Sequence, residues 1–246
     1  MATPGQRLRK WTATILEFAL AQGFVQTAGM LSGLIYVRVM PIEQYALYAL
    51  CLSSLAVISV GSDLGISGAL SYFWRKSLQE GSTIAPKVAM VRKLRALLFA
   101  GSMIVAAVLV ATSATKLNIA YSGLLVCFGL VAMTAWLQVR IGIDILLVRL
   151  EGRQRQSYVF EAAGSAVRLG AAVTMLGLGM AAAWFGLAGG LLGAIATTLL
   201  LNRGAAEIGS KSGEPTQEDW RELRGYVLPL MPSVLVYMIQ DPLVLW

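Results

Sequence analysis

An all-α, polytopic membrane protein is the fold class the sequence predicts, and three observations predict it. Hydrophobic residues make up 57% and charged residues 13% of the 246-residue chain, against about 45–50% and about 25% in an ordinary soluble domain. The apolar residues fall in six runs, each long enough to form the helix of about 20 residues that crosses a bilayer core. Basic residues also alternate between the ends of those runs. Sixteen of the twenty Lys and Arg lie in the head, in the second and fourth connections and between Arg203 and Arg224. Of the rest, Arg38 and Lys116 lie in the intervening turns, and Arg140 and Arg168 within spans. The positive-inside rule turns this pattern into six crossings with the N-terminus in the cytoplasm. The expected organisation is a six-helix bundle over 1–203, a cytoplasmic linker over 204–224 and an incomplete seventh transmembrane helix over 225–246.

The first span is expected from about Trp11 to Val39. A cleaved signal peptide is disfavoured, because Thr12, Thr14 and Glu17 interrupt the stretch before the small residues Ala19 to Ala21. Gln22, Gln26, Gly29 and Gly33 are spaced four, three and four apart, which places them on one helical face as an interface stripe. Arg38 reads as an interfacial anchor, and Pro41 and Glu43 turn the chain. The second span, from Gln44 to Trp74, carries Asp63 as its only charge, and Ser59, Asp63, Ser67 and Ser71 recur every fourth position. A continuous helix would align them as one polar stripe facing protein or water. Tyr72, Phe73 and Trp74, then Arg75 and Lys76, have the order of an aromatic belt at a cytoplasmic exit. The segment from Arg75 to Arg95 reads as the most basic loop of the chain.

The third span, about Leu94 to Ala114, is almost purely apolar and reads as packing and lipid contact. The fourth, from about Ile119 to Arg149, is long enough to project beyond the bilayer or to tilt. Arg140 and Asp144 lie four apart within it, the spacing of a local salt bridge with snorkelling to the surface. In the fifth, about Ser157 to Gly177, Glu161, Ser165 and Arg168 share one face. In the sixth, about Trp184 to Leu201, Gly186, Gly190, Gly193 and Thr197 do so, and small residues at that spacing let two helices approach closely. The polar linker that follows has room for a short surface helix beginning near Pro215 and Thr216, with Glu218 and Asp219 favourable in its first turn. A seventh apolar stretch starts at Tyr226. Since the chain stops at Trp246, barely across, an incomplete sequence is the expectation, which the coding frame beyond Trp246 would settle.

The net charge of +7 does not point to nucleic acid, because the cations follow membrane topology. Cys51 and Cys127 both fall inside apolar spans and the chain has no histidine. Two buried free thiols are therefore expected, with neither a disulfide framework nor a metal site. No cofactor motif is present. An integral membrane enzyme acting on lipid-linked sugars is disfavoured by the lack of histidine, by the lack of paired carboxylates in the connections, and by the shortness of the outer turns.

Charges inside spans are costly and mark function by default. Arg168 lies deepest, near the midplane, and is the first candidate for a phosphate or sugar contact; a structural bridge to Glu161 or to Asp63 is the alternative. Asp63 is either an ion-coupling site or a helix-to-helix hydrogen-bonding group. Glu17, Arg140 and Glu161 complete the candidate substrate-binding set.

Pro41, Glu43, Tyr45 and Tyr48 follow the first span, Leu64-Gly65-Ile66 with Ala69 lie in the second, and a basic segment comes next. Leu150 to Arg155 follow the fourth, and Pro229, Pro232 and Asp241 lie in the seventh. In this order and spacing they resemble the Wzx-type O-antigen and exopolysaccharide flippases of the multidrug/oligosaccharidyl-lipid/polysaccharide exporter superfamily, from which Ala46 departs, where that family has glycine. The resemblance implies the N-terminal bundle of a two-bundle transporter in the bacterial inner membrane. That transporter moves an undecaprenyl-pyrophosphate-linked oligosaccharide by alternating access for surface polysaccharide synthesis, coupled to an ion gradient. Its implied partners are membrane lipids, a polysaccharide polymerase and export machinery. A multidrug antiporter of the same superfamily is the alternative, and a lone bundle that transports nothing is another.

Overall fold

A computed structural model describes the backbone of residues 4–116, 121–204 and 216–244, and the side chains of Thr12, 15–115, 123–203 and 216–232. The described residues form eight helices and no strand: α1 (Pro4–Val39), α2 (Ile42–Asp63), α3 (Ile66–Glu80), α4 (Ala85–Lys116), α5 (Tyr121–Leu150), α6 (Gln154–Leu178), α7 (Ala183–Gly204) and α8 (Gln217–Val244). Six segments are long and apolar enough to cross a membrane. They match the six expected spans, with Ile42–Glu80 counted as one. At 1.5 Å per residue the 22 residues of α2 are about 33 Å long, so α2 alone crosses a core of about 30 Å.

The second span is not one helix. Leu64 ends α2 with φ 35° and ψ 37°, and Gly65 follows with φ 84°, both left-handed. Two such residues stop the α-helical ladder, and glycine adopts the second without Cβ strain. The helix under the four-residue stripe of Ser59, Asp63, Ser67 and Ser71 is therefore cut, yet Asp63, Ser67 and Ser71 stay linked in a chain across the break while Ser59 turns to α5. Ser59 Oγ donates to Gln138 Oε1 at 3.5 Å, Ser67 Oγ to Asp63 Oδ1 at 2.6 Å, and Ser71 Oγ to the Ser67 carbonyl at 3.1 Å.

Two hydrophobic cores lie on either side of this break. The larger joins α1, α2, α4, α5, α6 and α7 through Tyr36, Tyr48, Ala106, Val131, Ala172 and Leu187, and contains both free cysteines, which are buried. The smaller joins α3, the start of α4, the end of α5 and the start of α8 through Leu70, Phe73, Val91, Leu147 and Leu223. The basic loop expected from Arg75 to Arg95 is thus mostly helix. Only 81–84 connects α3 to α4, and Arg92, Lys93 and Arg95 lie within α4.

Close packing follows the glycines where helices cross. A Cβ added at Gly193 would stand 2.7 Å from the Gly164 carbonyl oxygen, and one at Gly186 would stand 2.9 Å from the Tyr48 ring. The small-residue face of α7 therefore does what its spacing foretold, holding α6 through Gly193 and α2 through Gly186. The stripe on α1 does not. An added Cβ at Gly29 or Gly33 meets nothing within 4 Å and Gln26 is exposed, whereas Ala28, Ser32 and Tyr36 are the buried line. At 100° per residue, an offset of one position carries a stripe off the interface.

The surface helix foreseen near Thr216 and the seventh apolar stretch are one helix, α8, running through the expected boundary at residue 225. Thr216 and Asp219 form a reciprocal cap: the Thr216 backbone N–H donates to Asp219 Oδ2 at 2.9 Å, and the Asp219 N–H to Thr216 Oγ1 at 3.3 Å. The helix docks on α3 through stacked rings of Tyr72 and Tyr226, 5.2 Å apart, and the Lys76–Glu222 ion pair at 2.7 Å. Pro229 and Pro232 lie within α8, and the side chain of Asp241 lies outside the described residues, as do 205–215 of the linker.

Candidate functional site

Five helices, α1, α2, α5, α6 and α7, together with Ser67 of α3, enclose a central cavity of about 530 Å³. Its walls carry Gln22 of α1, Tyr48 of α2, Thr134, Gln138 and Arg149 of α5, Glu161, Ser165 and Arg168 of α6, and Thr197 of α7. Gly190 and Gly193 of α7 form a wall without side chains. Polar groups inside an apolar bundle lower their free energy by hydrogen bonding to one another or to water. A space lined this way suits water and a polar guest.

Depth along the helices sorts the charges. Measured at 1.5 Å per residue from the end where α1 meets α2 and α6 meets α7, Asp63 and Arg95 lie about 32 Å away, Arg140 about 28 Å and Glu161 about 26 Å. Arg168 lies only about 15 Å from that end, near the middle of a core of about 30 Å. Among the described charged residues it is the one at mid-depth. It is half-buried, lines the cavity and sits beside the Tyr48 hydroxyl, within electrostatic reach of Tyr36.

Neither expected bridge to Arg168 forms. Glu161 pairs instead with Arg149 at 2.7 Å, joining the end of α5 to the start of α6. Asp63 pairs with Arg95 of α4 at 3.4 Å. Both acids lie about 11 Å or more from Arg168 in depth, while each has a cation from another helix at its own level. Among the described residues, Arg168 has no carboxylate within 4.0 Å.

The other candidates separate. Arg140 does not pair with Asp144: its guanidinium stacks on the Trp136 ring 4.7 Å from the centroid, and Asp144 accepts from Arg92 of α4 at 2.8 Å. Position 140 faces outward on α5 while 144, a turn further on, faces α4. Glu17 is exposed on α1 among Ile15, Leu16 and Leu20 and is not in the cavity wall. Of the five candidates the cavity gathers Arg168 and Glu161. Asp63 stands next to it through its hydrogen bond to Ser67, and Glu17 and Arg140 lie outside.

Arg95 is the residue that sequence reasoning missed. It is 8% exposed, its guanidinium packs on Gly142 of α5, and its Nε lacks a hydrogen-bond partner. Lys87 is equally buried, with its ammonium 5.5 Å from the Phe73 ring centroid. The signal was present in part: Arg95 follows Arg92 at a spacing of three, a helical rather than a loop pattern.

Fold and cavity together define a class: an all-α membrane-spanning bundle with a cavity between its helices, its wall mostly apolar (Leu52, Leu55, Ile145, Leu187) but set with polar side chains and a cation at mid-depth. No family model, no curated protein and no solved structure matches the chain.

Proposed function

We propose that this chain is the N-terminal bundle of a membrane transporter for a lipid-linked oligosaccharide whose anionic head is a pyrophosphate. The observation that carries the reading is Arg168, a cation at mid-depth in the cavity wall with, among the described residues, no carboxylate within 4.0 Å. Holding an unpaired guanidinium there is expensive, and an anionic guest offsets the expense by charge-assisted hydrogen bonds. Ser165, Gln22 and Gln138 in the same wall supply the neutral donors and acceptors that a sugar requires.

Charge also favours this reading over a multidrug antiporter. Arg149 and Arg168 against Glu161 leave the cavity wall with one net positive charge, which attracts a pyrophosphate and repels a cationic drug. The basic end of the bundle faces the cytoplasm in this reading, by the positive-inside rule, in the bacterial inner membrane. Alternating access would need a second bundle opposite the cavity.

Binding of a polyprenyl-pyrophosphate oligosaccharide to the purified full chain, followed by native mass spectrometry, tests the reading. Arg168→Gln removes one charge-assisted contact, worth about 1.5–3 kcal/mol, and is expected to weaken binding about 10- to 100-fold. Binding that is indifferent to Arg168, or stronger for a lipophilic cation, would refute it.

A further inference from the structure

A second cavity, of about 920 Å³, lies between α4 and α8 at the basic end, apart from the central one. Lys93 of α4 and Arg221 and Arg224 of α8 line it, with Glu218 as the only acid among the described lining residues, an excess of two positive charges there. All three cations are exposed and, among the described residues, none has a carboxylate within 4.0 Å. Their neighbours are otherwise: Arg92, Arg95 and Lys76 are each paired with an acid.

The floor of this cavity continues into the bilayer face. Leu97, one turn beyond Lys93, is 70% exposed, and Ile104 and Val108 extend the same face of α4, also exposed. Trp220 closes the α8 side, half-buried in the position an interfacial aromatic takes. Cations at one level with an open apolar stripe below them fit a molecule with phosphates at one end and acyl chains at the other. Basic pockets between helices at a membrane surface take such headgroups.

We propose that the α4/α8 crevice is a binding site for an anionic glycerophospholipid, with two headgroup phosphates matching its two unbalanced charges. The lipid fills the seam between the bundle and α8 and ties α8 to it from the outer side, opposite the Tyr72–Tyr226 stack. This site is independent of the transport reading, since it shares no residue with the central cavity.

Native mass spectrometry of the purified full chain, titrated with cardiolipin or phosphatidylcholine, provides the test. The wild type is expected to retain cardiolipin about tenfold more strongly than phosphatidylcholine, and Lys93→Gln/Arg221→Gln/Arg224→Gln to abolish that preference. Replacing Arg75, Arg155 and Arg203 by Gln removes as many exposed cations elsewhere on that end and is expected to leave it intact. Should the triple variant fail to fold, as judged by gel filtration and thermal unfolding, Arg224→Gln alone is expected to weaken retention a few-fold. Equal retention of both lipids, equal loss in the control variant, or no loss with Arg224→Gln would overturn the proposal. So would displacement by millimolar inorganic phosphate, which would make the crevice an anion site, or tighter retention of a polyprenyl pyrophosphate.

Discussion

Substituting Gly65 by alanine distinguishes the broken second span from a continuous one by the sign of a stability change. In a continuous helix Gly→Ala stabilises, by about 0.5–1 kcal/mol, because the unfolded glycine has more conformational freedom to lose. At Gly65 the backbone has φ 84°, where a Cβ costs about 1–2 kcal/mol. The added methyl would meet Leu230 Cβ at 3.4 Å, an ordinary contact that neither adds much nor relieves the strain. The expected change is therefore a loss of about 1–2 kcal/mol, about 1.5–3 kcal/mol from what a straight helix would give. Gly68, three residues on, is the internal reference: it lies within α3, and its added Cβ would be 3.7 Å from the Tyr226 hydroxyl. Gly68→Ala should gain up to about 0.5–1 kcal/mol. Unfolding of both variants by a graded denaturing detergent, followed by circular dichroism, reads the two signs. Gains at both positions would mean that α2 and α3 form one helix, and the account of Asp63 given above would fail with it.

Asp63→Asn should cost about 2–3 kcal/mol, because it strands the buried Arg95 guanidinium, which cannot shed its proton; Arg95→Leu should cost less, since Asp63 keeps Ser67 and can protonate. The double variant should recover at least about 1 kcal/mol of the summed loss, and strict additivity in the unfolding cycle would count against the pair. Gly193→Ala forces backbone apart where α6 crosses α7 and should destabilise by about 1–3 kcal/mol, whereas Gly190→Ala, with open space around it, should be near neutral in the same thermal assay. Thr216→Ala removes the reciprocal cap of α8, costing about 1 kcal/mol, and hydrogen exchange should speed up selectively over 217–220.

The number of spans was legible because it depends on local composition alone, runs of about 20 apolar residues, whereas a helix end inside a basic stretch was not: α4 begins at Ala85, well before Leu94. The depth of Arg168 was legible for the same reason, being a count of residues from a helix end. Partners across helices were not. Arg140 and Asp144 are neighbours by spacing, yet Asp144 turns to Arg92 and Arg140 to Trp136, because the roll of α5 against α4 decides which face meets which. The break at Leu64 and Gly65 was hidden by the serines, since Ser67 still reaches Asp63 across it at the spacing a continuous helix would give. The glycine two residues after an isolated aspartate, inside an apolar run, was the available stop signal.

The break and the buried arginine explain each other. Counted from the far end, α2 reaches Asp63 and α4 reaches Arg95 at the same depth, about 32 Å, through helices whose lengths were set independently. A core of about 30 Å counted from the same helix ends would stop near that level, which would spare both charges the hydrocarbon. Beyond it the chain still buries apolar surface, but among α3, the outer turns of α4 and α5, and α8 rather than against lipid. A straight second span would carry α3 onward along the axis of α2, away from that packing. Re-aiming it at Leu64 and Gly65 lets Phe73 and Leu70 meet Val91 and Leu147. The same turn brings Asp63 and Ser67 together beside Arg95, which Gly142 admits by offering no side chain. The ion pair is thus a fastening between the membrane core and the outer core. Among the described residues Arg168, about 16 Å deeper in the bundle, is left at mid-depth with no acid of its own.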